Sequence, residues 1–262
     1  MLLDAVVLIL REVLEAAVLI SVLLVLSLHL RREIQWLWWS IPLAILGTIL
    51  FASYLDVITD ALEGAGQEVT NASLQVLVYC LAVTIGAISL ASAPHSTGRR
   101  IVLPVLMAAA VTCAAVREGA EIMIFVTGFA AATEHSVPLY AGSAIGAGIG
   151  LSLGILLFAG LRAAPLSYSF SSCLILLSMI GAGMVMQSTT LLQQVDWLPT
   201  TTPLWDSSTL INEQSVLGEL LYAVFGYEST PDVHQVQIYS CCMLFMGLVL
   251  LLSWRIGKDH EH

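Results

Sequence analysis

Arg11-Glu12-Val13-Leu14-Glu15 is the stretch that decides the fold, because apolar sequence flanks it on both sides: Leu2 to Ile9 before it, broken by Asp4, and Ala16 to Leu26 after it, broken by Ser21. A run of that length spans a bilayer as a helix, and here it holds three ionisable side chains near its middle. Each costs about 2.5–3.5 kcal/mol on insertion scales. A second copy, Arg117-Glu118-Gly119-Ala120-Glu121, lies between the apolar runs Ile101–Val116 and Ile122–Ala132. Two copies of Arg-Glu-x-x-Glu at matching depth mark an ion or substrate path.

On a helix, residues three and four apart are neighbours. Glu12 and Glu15 therefore lie on adjoining turns with Arg11 placed to pair with Glu15, and Glu118, Glu121 and Arg117 repeat the pattern. Two such helices side by side make a site of four carboxylates and two guanidiniums, a net charge of −2 when all are ionised. Oxygen-rich negative sites take hard and borderline metal cations. The alternative is that the Arg–Glu pairs brace two buried helices.

The rest of the chain agrees with a membrane setting. Of 262 residues, 58% are hydrophobic and 11% charged, with a mean hydropathy of +0.91, which excludes an ordinary soluble domain. Five cysteines lie scattered in apolar segments with no C-x-x-C pair, so neither a zinc site nor a disulfide framework is expected. Apolar runs predict seven transmembrane helices at 3–28, 36–55, 72–92, 102–130, 140–161, 169–190 and 237–254. The N-terminal run lacks the basic start of a signal peptide and reads as a retained helix.

With seven spans, Arg31, Arg32, Arg99, Arg100, Arg162, Arg255 and Lys258 all fall on one side. The positive-inside rule makes that side the cytoplasm, with the N-terminus outside and the C-terminus inside. The outer face is acidic, with Asp56, Glu63, Glu68, Glu134, Asp206 and Glu219 among its residues, and concentrates cations. The two charged motifs then run in opposite directions. The expected fold is an all-α integral membrane protein with an inverted 3+3 repeat plus one C-terminal helix: repeats at 1–92 and 93–190, an extracytoplasmic loop at 191–236, and the seventh helix and tail at 237–262, all in one membrane domain. Leu81-Ala82-Val83-Thr84-Ile85-Gly86-Ala87 resembles Leu176-Leu177-Ser178-Met179-Ile180-Gly181-Ala182, in keeping with that repeat. Inverted repeats around a midplane polar site are a common transporter architecture.

Three further features bear on the path. Glu63-Gly64-Ala65-Gly66-Gln67-Glu68, in the first outer loop, holds two carboxylates that glycine-assisted bending can turn toward an incoming cation, so Glu63 and Glu68 are second-tier ligands. Gly142, Gly146, Gly150 and Gly154 form an i, i+4 series, a close-packing face. Asn212 to Phe225 is amphipathic and is expected to lie on the membrane surface or cap the entrance. No histidine is assigned as a ligand; His260-Glu261-His262 offers only a weak metal site at the tail.

The paired motifs, the Glu63–Glu68 stretch, and Leu204-Trp205-Asp206 with Gly226-Tyr227 and Pro231 resemble the oxidase-dependent iron permease family, which includes yeast high-affinity and bacterial EfeU-type transporters. The resemblance covers essentially the whole chain. It implies iron import across a plasma or bacterial inner membrane, with Glu12, Glu15, Glu118 and Glu121 handling iron as Fe2+ or Fe3+ and Arg11 and Arg117 as charge partners. No permanent cofactor is expected, and no enzymatic activity, since the sequence has no Ser–Lys, paired-Asp or H-E-x-x-H arrangement. As partners the resemblance implies an oxidase or peroxidase at the outer face and an iron-delivery protein, and no nucleic acid. Some members import lead, so a lead or other divalent-metal permease is the nearest alternative; a structural or redox-partner subunit is the alternative from another class. The usual family pattern is Arg-Glu-Gly-Leu-Glu. Here Val13 replaces the glycine of the first copy and Ala120 the leucine of the second, so helix 1 is thicker at its motif.

Overall fold

The computed structural model describes residues 2–30, 34–91, 97–132 and 136–259. Arg31, Arg32, His95, Glu134, His135 and the His260–His262 tail lie outside them, and of Arg99 and Arg100 only the helical backbone is described. The helices are α1 (Leu2–His29), α2 (Gln35–Ser53), α3 (Leu55–Asp60), α4 (Gly66–Leu90), α5 (Thr97–Ala132), α6 (Ser136–Ala163), α7 (Leu166–Gln194), α8 (Val216–Phe225) and α9 (Val233–Asp259). Among the described residues there is no strand, only an isolated bridge between Pro203 and Asp232.

Apolar sequence in lipid must satisfy its backbone internally, and helices do so. Six described helices, α2, α4, α5, α6, α7 and α9, are long and apolar enough to cross a membrane, with α8 a shorter apolar helix. The protein is thus a multi-pass integral membrane protein. The 28-residue α1 matches them in length but carries Asp4, Arg11, Glu12 and Glu15. It is the central helix, packed on α6, α5, α7 and α8. Its Leu19, Val22, Leu23 and Leu26 join Ile85 of α4, Met107 of α5, Leu177 of α7 and Met246 of α9 in the core.

One helix end corrects an expected span where it matters. Helix α4 begins at Gly66 rather than 72, which brings Glu68 into its first turn. A Cβ at Gly66 would stand 1.7 Å from the Ile58 carbonyl oxygen of α3, so only glycine lets the two segments meet here. Between them Leu62 and Glu63 adopt φ of 53° and 63° in a tight turn, a left-handed backbone that non-glycine residues seldom take.

The four-glycine series on α6 is the seam against α1. A Cβ at Gly146 would lie 2.5 Å from the Val6 carbonyl oxygen, and Ser21 Oγ donates to the Gly154 carbonyl at 2.8 Å. The bulk of Val13 is taken up by this seam, since it packs over Gly150. The loop after α7 is tied down by polar contacts. Gln193 donates to Asp232 at 2.6 Å, and Asp232 and Gln235 cap the start of α9 reciprocally, each backbone N–H bonding the other's side chain at 2.7 Å. At the end of α8, Gly226 (φ 66°) meets Gly183 of α7 backbone to backbone, so α8 docks directly on the bundle.

Candidate functional site

The centre of the bundle, where α1, α5 and α7 meet under α8, is polar. Glu12, Glu15 and Glu118 are buried, at 0%, 3% and 2% exposure. One carboxylate oxygen from each lies within 4.8 Å of the others. The two motifs do come together. Within this cluster, Glu12 Oε2 and Glu118 Oε2 are buried with no N–H or hydroxyl donor, and the two carboxyl groups lie within hydrogen-bond reach of each other.

The expected i, i+4 pairing forms in the second motif, between Arg117 and Glu121, but not in the first. Arg117, not Arg11, reaches Glu15: its Nη1 donates to Glu15 Oε2 and to Glu118 Oε1, both at 2.9 Å, and its Nη2 lies 3.0 Å from Glu121 Oε1. Arg11 pairs with its neighbour Glu12 at 2.7 Å and points toward α8, with Glu219 at 3.6 Å, Glu121 at 3.9 Å and the Tyr222 ring centroid at 5.7 Å. Once two helices are close, a guanidinium satisfies carboxylates across the gap as readily as along its own helix. The Arg117–Glu15 pair is therefore a contact between the motifs.

Glu121 stands apart from the three-carboxylate cluster. With Glu68, Asn71, Phe125 and Gln194 it lines a cavity of about 550 Å³. Glu68 thus reaches the same cavity as a motif glutamate. Glu63 does not: it is exposed in the left-handed turn and is not among the lining residues.

Residues with no part in the expected site complete it. Gln187 of α7 accepts from Arg117 at 3.3 Å and from Gln75 of α4 at 2.7 Å, and donates to Glu15 at 3.5 Å and to the Tyr222 carbonyl of α8 at 3.2 Å. It touches both motifs, α4 and α8. The signal was in the sequence: Gln75 and Gln187 are amides inside apolar spans, and intramembrane polar groups are costly enough to warrant a functional reading. Glu219 and Tyr222 were less visible, because they sit on the amphipathic α8, where polar residues are ordinary.

Chemically the centre is an all-oxygen, acidic donor set with a fixed counterion and orphaned carboxylate oxygens, inside a polytopic helical membrane protein. That combination defines a class: membrane proteins equipped to handle cations. The chain belongs to the iron permease FTR1 family, whose model matches residues 2–260. No curated protein and no solved structure matches it.

Proposed function

We propose that the chain imports iron ions through an intramembrane site made of both Arg-Glu-x-x-Glu motifs, with Glu12, Glu15 and Glu118 as the inner ligands, Glu121 facing the outer cavity, and Arg11 and Arg117 as charge partners. The observation that carries this reading is the convergence of three buried carboxylates from two helices within 4.8 Å, with Glu12 Oε2 and Glu118 Oε2 lacking any N–H or hydroxyl donor. Bracing accounts for those two oxygens only when the Glu12 and Glu118 carboxyls share a proton, which removes one of the charges that a bracing ion pair uses. A metal ion between them satisfies both.

The seven-span inverted repeat, with α1 as the first span, is part of the same proposal, and the packing supports it. The most extensive helix contacts are α1 with α6, α4 with α7, and α2 with α5. Exchanging the first three spans for the second three maps α1–α6 onto α5–α2 and α4–α7 onto itself. The register agrees: a Cβ at Gly142 would meet Leu2, and Ser40 donates to Ala108, with Leu2 and Ala108 each nine residues before a motif arginine.

Access in this conformation is from one side. The cavity lies toward the N-terminal end of α1, lined by Leu8, whereas beyond the cluster Leu19, Val22, Leu23, Met107 and Val111 close the bundle. With the N-terminus outside in a bacterial inner membrane, as the basic residues imply, this is an outward-facing state. Rocking of one repeat against the other opens the inner end. Four glutamates and two arginines carry −2 when ionised, which a divalent ion neutralises; Glu219, 3.6 Å from Arg11, raises this to −3 and suits a trivalent ion. A negative interior contributes about 2.3 kcal/mol per charge per 100 mV to inward movement. An oxidase or peroxidase and an iron-delivery protein would supply the ion at the outer face.

Uptake of Fe(II) and Fe(III) into proteoliposomes containing this chain alone, with lead as competitor, tests the reading. E118Q is expected to lower iron flux by at least tenfold while the protein stays folded; unchanged flux in E15Q and E118Q returns the Arg–Glu pairs to a bracing role.

A further inference from the structure

Three oxygen atoms on α4 stand buried with no hydrogen-bond donor: Glu68 Oε2, Asn71 Oδ1 and Gln75 Oε1. Their positions, i, i+3 and i+7, fall on one stripe of the helix. Glu68 and Asn71 line the 550 Å³ cavity beside Glu121. Gln75, one turn deeper, donates through its other amide atom to Gln187, which touches Glu15 and Arg117. Asn71 is 3% exposed and Gln75 1%. An orphaned buried acceptor costs about 1–3 kcal/mol, and three in a row along one face, ending at the glutamate cluster, are an arrangement that packing does not require.

We propose that this stripe holds a second, outer cation site: Glu68 Oε2, Asn71 Oδ1 and the Glu121 carboxylate take an incoming ion from the cavity, and Gln75 Oε1 is the next oxygen on its way to Glu12, Glu15 and Glu118. The donor set is one anionic oxygen from each of two helices plus neutral amide oxygens, which suits an oxygen-preferring di- or trivalent cation. A neutral amide between two carboxylate clusters binds weakly enough to release the ion inward. Glu121 links the two sites, since its Oε1 lies 3.0 Å from Arg117, the counterion of the inner cluster, while its side chain lines the cavity. An ion arriving there competes with Arg117 for Glu121 and so couples outer occupancy to the inner cluster.

This inference rests on the transport reading, and one experiment separates the two. Full-length protein in nanodiscs is titrated anaerobically with Fe(II), and bound iron per chain is counted alongside proteoliposome uptake. Wild type is expected to bind two ions. E15Q/E118Q should keep the outer ion and lose uptake. N71L should keep only the inner ion and raise the half-saturating Fe(II) for uptake on the order of tenfold, whereas N71D should retain both ions. Where N71L does not fold, E68Q, at a partly exposed position, carries the same expectation. One ion per chain in wild type, or two ions and unchanged half-saturation in N71L or E68Q, overturns the outer site and leaves water as the partner of these oxygens. Unchanged uptake in E15Q/E118Q overturns the transport reading instead.

Discussion

Arg117 and Arg11 occupy the same place in two copies of Arg-Glu-x-x-Glu and live in different surroundings. The Arg117 side chain is 7% exposed and bonds Glu15, Glu118, Glu121 and Gln187. The Arg11 side chain is 26% exposed, has one close partner in Glu12, and leans toward Glu219 and Tyr222 of α8. Internal repetition supplies the chemistry twice, and what packs over each copy sets its task. Arg117 is the fixed counterion of the buried carboxylates, while Arg11 links the site to the short helix that covers it.

Breaking each arginine sharpens that contrast. R117L strands three carboxylates in the bundle interior and is expected to destabilise the protein by about 3–5 kcal/mol, the usual cost of removing one partner of a buried ion pair. R11L should cost less, about 1–3 kcal/mol, since it leaves one buried carboxylate, Glu12, without its close partner, while Arg11 itself and its second partner Glu219 are partly open to solvent. Thermal unfolding in detergent measures both, and equal losses would erase the distinction.

The helix seams give a second, smaller contrast. Val13 of α1 lies over Gly150 of α6, and at the equivalent place in the other half Gly119 of α5 lies under Thr48 of α2. The large residue is on the motif helix in one half and on its neighbour in the other. G150L and G119L should each cost about 1–3 kcal/mol by overpacking. V13G should recover much of the G150L loss in a double-variant cycle; purely additive losses would separate Val13 from Gly150. The smallest expected effect is from E219Q, a change of roughly two- to fivefold that weakens Fe(III) uptake more than Fe(II) uptake, because one negative charge leaves the Arg11 side in partly screened surroundings. Equal effects on both ions would remove Glu219 from the charge balance.

The membrane class, the helix positions and the two motif clusters were legible in the sequence, because charges inside apolar runs and the i, i+4 glycines of α6 are one-dimensional signals. Pairing across helices was not. The i, i+4 rule assigned Glu15 to Arg11, whereas proximity of α1 and α5 gave it to Arg117. The early start of α4 followed from the fit of Gly66 under Ile58, a contact between segments that no local propensity encodes, and it separated Glu68 from Glu63. Gln187 was overlooked because a lone amide in a span has no motif, although its cost in lipid was a usable sign.

The most direct test of the account is to see where iron sits. Anomalous scattering at the iron edge from iron-loaded crystals should place a peak within bonding distance of carboxylate oxygens from both α1 (Glu12 or Glu15) and α5 (Glu118). A peak bound by one motif alone, or none between these helices in a protein that transports iron, would contradict it.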